Sequence, residues 1–184
     1  MPRLHLVRHG RPQVDPALPP DEWALDPAGF GAIDALRHHG RLPHHVPWFS
    51  SPERKALDTA RRLTDGLLSC GDVTVLPELR EHARGVTPWF DDVDQWRALV
   101  GRVFEEPDRP ARAGWEPLTA TRDRVVPAVR RLLARHPGQE LVLCGHGTAW
   151  TMLVAELTGR PPDLEAWAAL RMPDLWVVEL DTPE

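Results

Sequence analysis

The chain has 184 residues, of which 42% are hydrophobic and 27% charged, and a formal net charge of -5. That length is most simply one domain with enough apolar content for a real core, and the acidic balance argues against a general nucleic-acid binder. No apolar run approaches the ~18 residues that span a bilayer, and Met1-Pro2-Arg3 runs into a strand rather than a signal peptide, so the expected location is cytoplasmic with no membrane partner.

Strands are predicted over Leu4–Val7, Val46–Phe49, Val73–Leu76, Leu141–Cys144 and Trp176–Leu180. A first helix is expected across Pro27–His39, where Phe30, Ile33 and Leu36 recur at helical spacing. A second begins after Ser51, with Ser51 as N-cap, Pro52 at the first helical position and Ala56, Ala60, Leu63 and Leu67 on one face. Val125, Val129, Leu132 and Leu133 mark a third helix that Pro127 should start or kink, and Ala149, Met152, Leu153 and Leu157 mark a fourth after Gly147. Strands alternating with helices predict a three-layer α/β/α sandwich around a mostly parallel sheet. The irregular stretch 85–117, with Trp89, Phe90, Trp96, Phe104 and Trp115 among acidic residues and prolines, reads as a cap inserted into a single domain spanning 1–184.

Two of the strands end in His-Gly: Leu4-His5-Leu6-Val7-Arg8-His9-Gly10 and Leu141-Val142-Leu143-Cys144-Gly145-His146-Gly147. The carboxyl ends of parallel strands open into the ligand crevice of such folds, and a glycine lets the backbone approach a bound group. If the strands are neighbours, His9 and His146 face one another with Arg8 beside them. One histidine can then attack a phosphoryl group that the other cations hold. At the second helix, Glu53 suits the positive end of the helix dipole whereas Arg54 opposes it, which makes sense if an anion lies between them; an exposed arginine is the equal alternative.

Together these residues resemble the histidine phosphatase superfamily, which includes phosphoglycerate mutase-like enzymes. The resemblance rests on four ordered blocks: Leu6-Val7-Arg8-His9-Gly10, Ser50-Ser51-Pro52-Glu53-Arg54-Lys55-Ala56-Leu57-Asp58-Thr59-Ala60, Leu79-Arg80-Glu81 followed by Gly85, and Gly145-His146-Gly147. It implies His9 as a nucleophile forming a phosphohistidine, with Arg8, Arg54 and His146 clamping the phosphoryl oxygens. It implies Glu81 as the acid for the leaving oxygen and then the base for water, with Glu78 as the competing carboxylate. Backbone N–H groups near Gly147 would complete the cradle at a helix N-terminus. No metal or other cofactor is implied.

The expected substrate is a small phosphorylated metabolite; nothing in the sequence sets the oligomeric state. Family mutases follow Arg-His-Gly with Glu, then Ser or Thr, then Asn. Here Arg11-Pro12-Gln13-Val14-Asp15 follows, and Val86-Thr87-Pro88-Trp89 stands where Trp-Glu-Gly is frequent. These departures and the short chain favour a phosphatase over a mutase-like phosphotransferase, and a non-catalytic phosphate-binding scaffold is the third reading. Arg11 near the entrance suits a second anionic group on the substrate or simply the surface.

Cys70 and Cys144 show no CxxC spacing and read as reduced thiols, with one disulfide between them left open, and Cys144 reads as packed rather than nucleophilic. His38, His39, His44 and His45 lack accompanying ligands at metal spacing and read as a helix end and loop. Lys55 is the sole lysine among 22 Lys+Arg, a bias that with 20 Pro, 8 Trp and no Tyr reflects genome composition.

Overall fold

The apolar runs Leu4–Val7 and Leu141–Cys144 are buried on both faces, the signature of strands in a parallel sheet covered on each side. A computed structural model describes residues 3–66, 72–85 and 92–180. In chain order it contains β1 (Arg3–Arg8), α1 (Phe30–His38), β2 (Trp48–Ser50), α2 (Arg54–Thr64), β3 (Thr74–Val75), α3 (Val93–Glu105), α4 (Leu118–Arg135), β4 (Leu141–Gly145), α5 (Gly147–Thr158), α6 (Leu164–Ala169) and β5 (Asp174–Glu179). The sheet order is β3-β2-β4-β1-β5; all neighbours are parallel except β5, which runs antiparallel to β1.

Each face of the sheet has its own apolar cluster. Leu4, Leu6, Leu141 and Leu143 pack with Leu99 and Val103 of α3, Val125 and Val129 of α4, and Trp150 and Leu153 of α5. Val7, Val142 and Cys144 pack with Ile33 and Leu36 of α1 and Ala56, Ala60 and Leu63 of α2. This is the expected three-layer α/β/α sandwich. No described helix is long and apolar enough to cross a membrane.

Several boundaries differ from expectation for local reasons. The first helix divides into a 3-10 turn, Pro27–Gly29, capped by the Asp26 side chain, and α1 proper. The next helix starts at Arg54, not at Pro52, although Ser51 Oγ still accepts the Glu53 N–H at 3.2 Å. Pro127 neither starts nor ends α4; the helix begins at Leu118, after Pro117, and carries Pro127 in its interior. The buried face of Val125, Val126, Val129 and Leu132 offsets an interior proline, which costs roughly 3 kcal/mol. The predicted elements do not include α3 or α6. Within 85–117, Leu99, Val103 and Trp115 join the α4–α5 side of the core. Trp89, Phe90, Leu67 and Cys70 lie outside the described residues.

Candidate active site

The parallel pairing of β1 with β4 sets Arg8 opposite Gly145, and the next backbone bond, His9 N–H to Gly145 O at 2.9 Å, continues the ladder past the strand end. The two histidines therefore leave the sheet side by side, with ring centroids 5.2 Å apart and planes inclined at 61°. Ser51 N–H donates to Cys144 O at 2.9 Å and brings the end of β2 alongside. Two glycines make room. A Cβ on Gly145 would lie 2.4 Å from Trp150 Cζ2, and one on Gly147 would lie 3.4 Å from Arg8 Nε.

His9 is 7% exposed. Its Nδ1 lies 2.7 Å from Gly10 O, and because a carbonyl only accepts, Nδ1 carries the proton and Nε2 keeps its lone pair. Burial holds the imidazole well below its ordinary pKa, with the His146, Lys55 and Arg8 charges acting in the same direction. Arg8 anchors through Nη1 to Leu170 O at 3.0 Å, while its buried Nε has no hydrogen-bond partner among the described residues.

Arg54 is not the second cation of this pocket. Its side chain is 67% exposed and lies 3.6 Å from Asp58 on the outer face of α2. Successive residues on a helix point about 100° apart, and the inward position belongs to Lys55, which shares the buried face with Ala56, Thr59, Ala60 and Leu63. The Lys55 ammonium meets Glu53 Oε2 at 2.5 Å and also donates to Pro20 O. Glu53, itself buried, accepts the Glu81 N–H at 2.7 Å through Oε1, which lies 3.4 Å from His146 Nε2. His146 is fully buried; its Nε2 lies 2.8 Å from Ser51 Oγ and its Nδ1 has no hydrogen-bond partner among the described residues. Burial, and then the Lys55 charge, hold this imidazole well below its ordinary pKa too.

Glu81 occupies the N-terminus of α5. Its carboxylate accepts N–H groups from His82 at 3.0 Å, Thr148 at 3.2 Å and Ala149 at 2.9 Å. These amides were expected to cradle substrate; here they hold a carboxylate, while Gly147 permits the close approach of Arg8. Burial opposes ionisation of Glu81, but Arg84, His146 and the His82 amide outweigh it and keep the carboxyl below its ordinary pKa. Arg84 donates to Thr148 Oγ1 at 2.7 Å, and its guanidinium lies 4.8 Å over the Trp96 ring. Glu78, by contrast, points towards Arg131 of α4 at 3.7 Å.

Arg11 is 65% exposed and held by Asp26 at 3.1 Å, so it stands as a surface cation. Cys144 is fully buried, donates to Ala56 O at 3.2 Å and has its thiol pKa pushed up by burial, as a packed residue should. Among the described residues no three His, Cys, Asp or Glu side chains group in metal-binding geometry. The motif reading gives Lys55 and Arg84 no role in the site and places Glu53 only at the helix dipole. For Lys55 a signal existed: positions 55, 59, 63 and 56, 60 form one helical face, and Arg54 and Asp58 lie off it.

The fold and site define an α/β protein whose paired histidines and buried cations converge at the carboxyl ends of neighbouring parallel strands. Residues 4–182 match the model of the histidine phosphatase superfamily (branch 1). The chain belongs to that superfamily. Among solved structures it is similar to YhfR of Bacillus stearothermophilus, at 22% identity and TM-score 0.71, covering 98% of this chain and 92% of that one. A mycobacterial glucosyl-3-phosphoglycerate phosphatase is 25% identical with TM-score 0.64, over 93% and 85% of the two chains. The α-ribazole phosphatase of Shigella flexneri is 20% identical with TM-score 0.68, over 97% and 91%. No curated protein sequence matches the chain.

Proposed function

We propose that the protein is a cytoplasmic, metal-independent phosphomonoester hydrolase that acts on a small phosphorylated metabolite through a phosphohistidine on His9. The observation that carries this reading is the His9 imidazole, fixed by Gly10 O with Nε2 unprotonated and set 5.2 Å from His146. The Nε2 lone pair forms the P–N bond as the ester P–O bond breaks in line. Arg8, Lys55 and Arg84 supply the preorganised charge for the equatorial oxygens, and His146 lies beside them as a further hydrogen-bonding group. Glu81 gives its proton to the leaving oxygen, and that proton enters the ionised site with the ester monoanion. Water then attacks phosphorus, its proton passes to Glu81, the P–N bond breaks and the electron pair returns to Nε2.

The phosphatase names of the solved relatives favour hydrolysis over a mutase-like transfer, as does the Arg11-Pro12-Gln13 departure. Incubation with a panel of phosphorylated metabolites should release inorganic phosphate with EDTA present. Quenching should trap an acid-labile phosphoenzyme in the wild type and none in His9→Ala. Turnover by His9→Ala at the wild-type rate would overturn the assignment.

A further inference from the structure

Glu53 is a buried carboxylate inside an anion pocket, and the reaction outlined above gives it no task. By charge alone it works against binding, since it brings a negative group close to an incoming dianion and occupies the Lys55 ammonium. Its placement is nonetheless specific. One oxygen holds Lys55, and the other accepts the Glu81 N–H and lies 3.4 Å from His146 Nε2. Ser51 Oγ, 2.8 Å from the same nitrogen, can accept from it when that nitrogen is protonated. On the far side of the ring, Nδ1 is buried with no hydrogen-bond partner among the described residues.

The charged and titratable groups facing His146 come from four segments: Arg8 and His9 from the end of β1, Glu53 before α2, Lys55 on α2, and Glu81 and Arg84 beside α5. The cations among them oppose a second positive charge on the ring in the free protein. An anion at Nδ1 reverses that balance, provided a carboxylate already waits at Nε2.

We propose that Glu53 is a positioning residue that makes anion binding proton-linked: as a tetrahedral dianion enters, His146 takes up one proton, Nδ1–H turns to the anion and Nε2–H is shared by Glu53 Oε1 and Ser51 Oγ. This rests on the pocket being the phosphate site but not on turnover. The imidazolium lies between two anions, and Glu53 offsets the repulsion from Lys55 and the arginines. Affinity for a dianion then rises as pH falls, approaching tenfold per unit while His146 is neutral in the free protein and charged in the complex.

The probe is inorganic sulfate, which stays a dianion across the range and is not turned over. Calorimetry in two buffers of different ionisation enthalpy, between about pH 7 and 8, counts protons taken up per sulfate bound. The wild type should take up close to one, and its affinity should fall as pH rises. Glu53→Gln should lose most of the uptake and bind sulfate with a flattened pH dependence. Glu81→Gln should keep the uptake. The proposal is overturned if the wild type binds no sulfate or takes up no proton, if Glu53→Gln takes up as much as the wild type, or if uptake disappears in Glu81→Gln instead. Should Glu53→Gln fail to fold, Glu53→Asp keeps the charge but withdraws it from His146, and undiminished uptake there overturns the idea equally. Sulfate-linked uptake in a protein that hydrolyses no ester would end the hydrolase reading alone; turnover without uptake would end this one alone.

Discussion

Arg8 stands opposite Gly145 in the β1–β4 pairing, and that single register places His9 and His146 at the same end of the sheet. A slip of one residue would turn one imidazole to the other face, because side chains alternate along a strand. The register is held where Gly145 meets Trp150, whose indole Nε1 donates to Val7 O at 2.9 Å.

Gly145→Ala should therefore be costly. The added methyl would sit 2.4 Å from a fully buried indole that cannot move without losing its hydrogen bond. Overpacking of this kind costs roughly 1–3 kcal/mol, and the displaced indole would also shift His146 at the start of α5. Urea unfolding should show the lower midpoint, with activity falling further than stability explains. A wild-type midpoint would contradict the tight packing.

Lys55→Ala should lower kcat/KM for p-nitrophenyl phosphate on the order of 10²–10³-fold, the effect of removing one preorganised donor. Arg54→Ala should change it by less than about threefold, since an exposed ion pair contributes little. Equal losses in both variants would return Arg54 to the pocket.

Glu81→Gln separates acid catalysis from binding. Alkyl phosphates, whose alkoxide leaves poorly, should lose far more rate than p-nitrophenyl phosphate, whose phenolate needs little protonation. With the activated ester, phosphoenzyme should accumulate because the variant cannot activate water. Equal losses for both substrates would leave Glu81 as a brace for the α5 N-terminus, where its three amide contacts lie.

Stability should fall in mild acid. Burial holds His9, His82 and His146 below the ordinary value of 6.5, so beneath that pH the unfolded chain binds protons that the folded chain refuses. The stabilisation is complete above about pH 6.5 and declines below it, by up to about 1.4 kcal/mol per pH unit for each histidine. The depressed carboxyls of Glu81 and Glu116 extend the loss in the same direction once pH falls through their ordinary 4.5. Urea midpoints at about pH 7.5 and 5.5 should differ, the acid one being lower. Equal midpoints would mean that these imidazoles titrate normally.

Legibility in the sequence followed the range of the forces involved. Apolar runs bounded by His-Gly marked β1 and β4 because a strand buried on both faces must be continuously apolar, and that pattern is local. In α3 the residues Trp96, Leu99, Val100, Val103 and Phe104 do recur at helical spacing, but they lie in a stretch whose prolines and acidic residues read as irregular, and α6 has only six residues. Pro127 misled because a helix packed along its whole length tolerates a residue that would end an isolated one.

By itself the sequence determined the layered α/β order, the histidines at two strand ends, and the superfamily blocks in their order. Tertiary structure alone decided that Glu81 holds the α5 amides, that Glu53 sits among the histidines, and that Ser51 meets His146. Those outcomes rest on partners 28, 68 and 95 positions apart: Glu53 with the Glu81 amide, Glu81 with Ala149, and Ser51 with His146. A buried charge is tolerated only where the fold supplies its counter-charge and hydrogen bonds, and no local spacing records which distant group will arrive to do so.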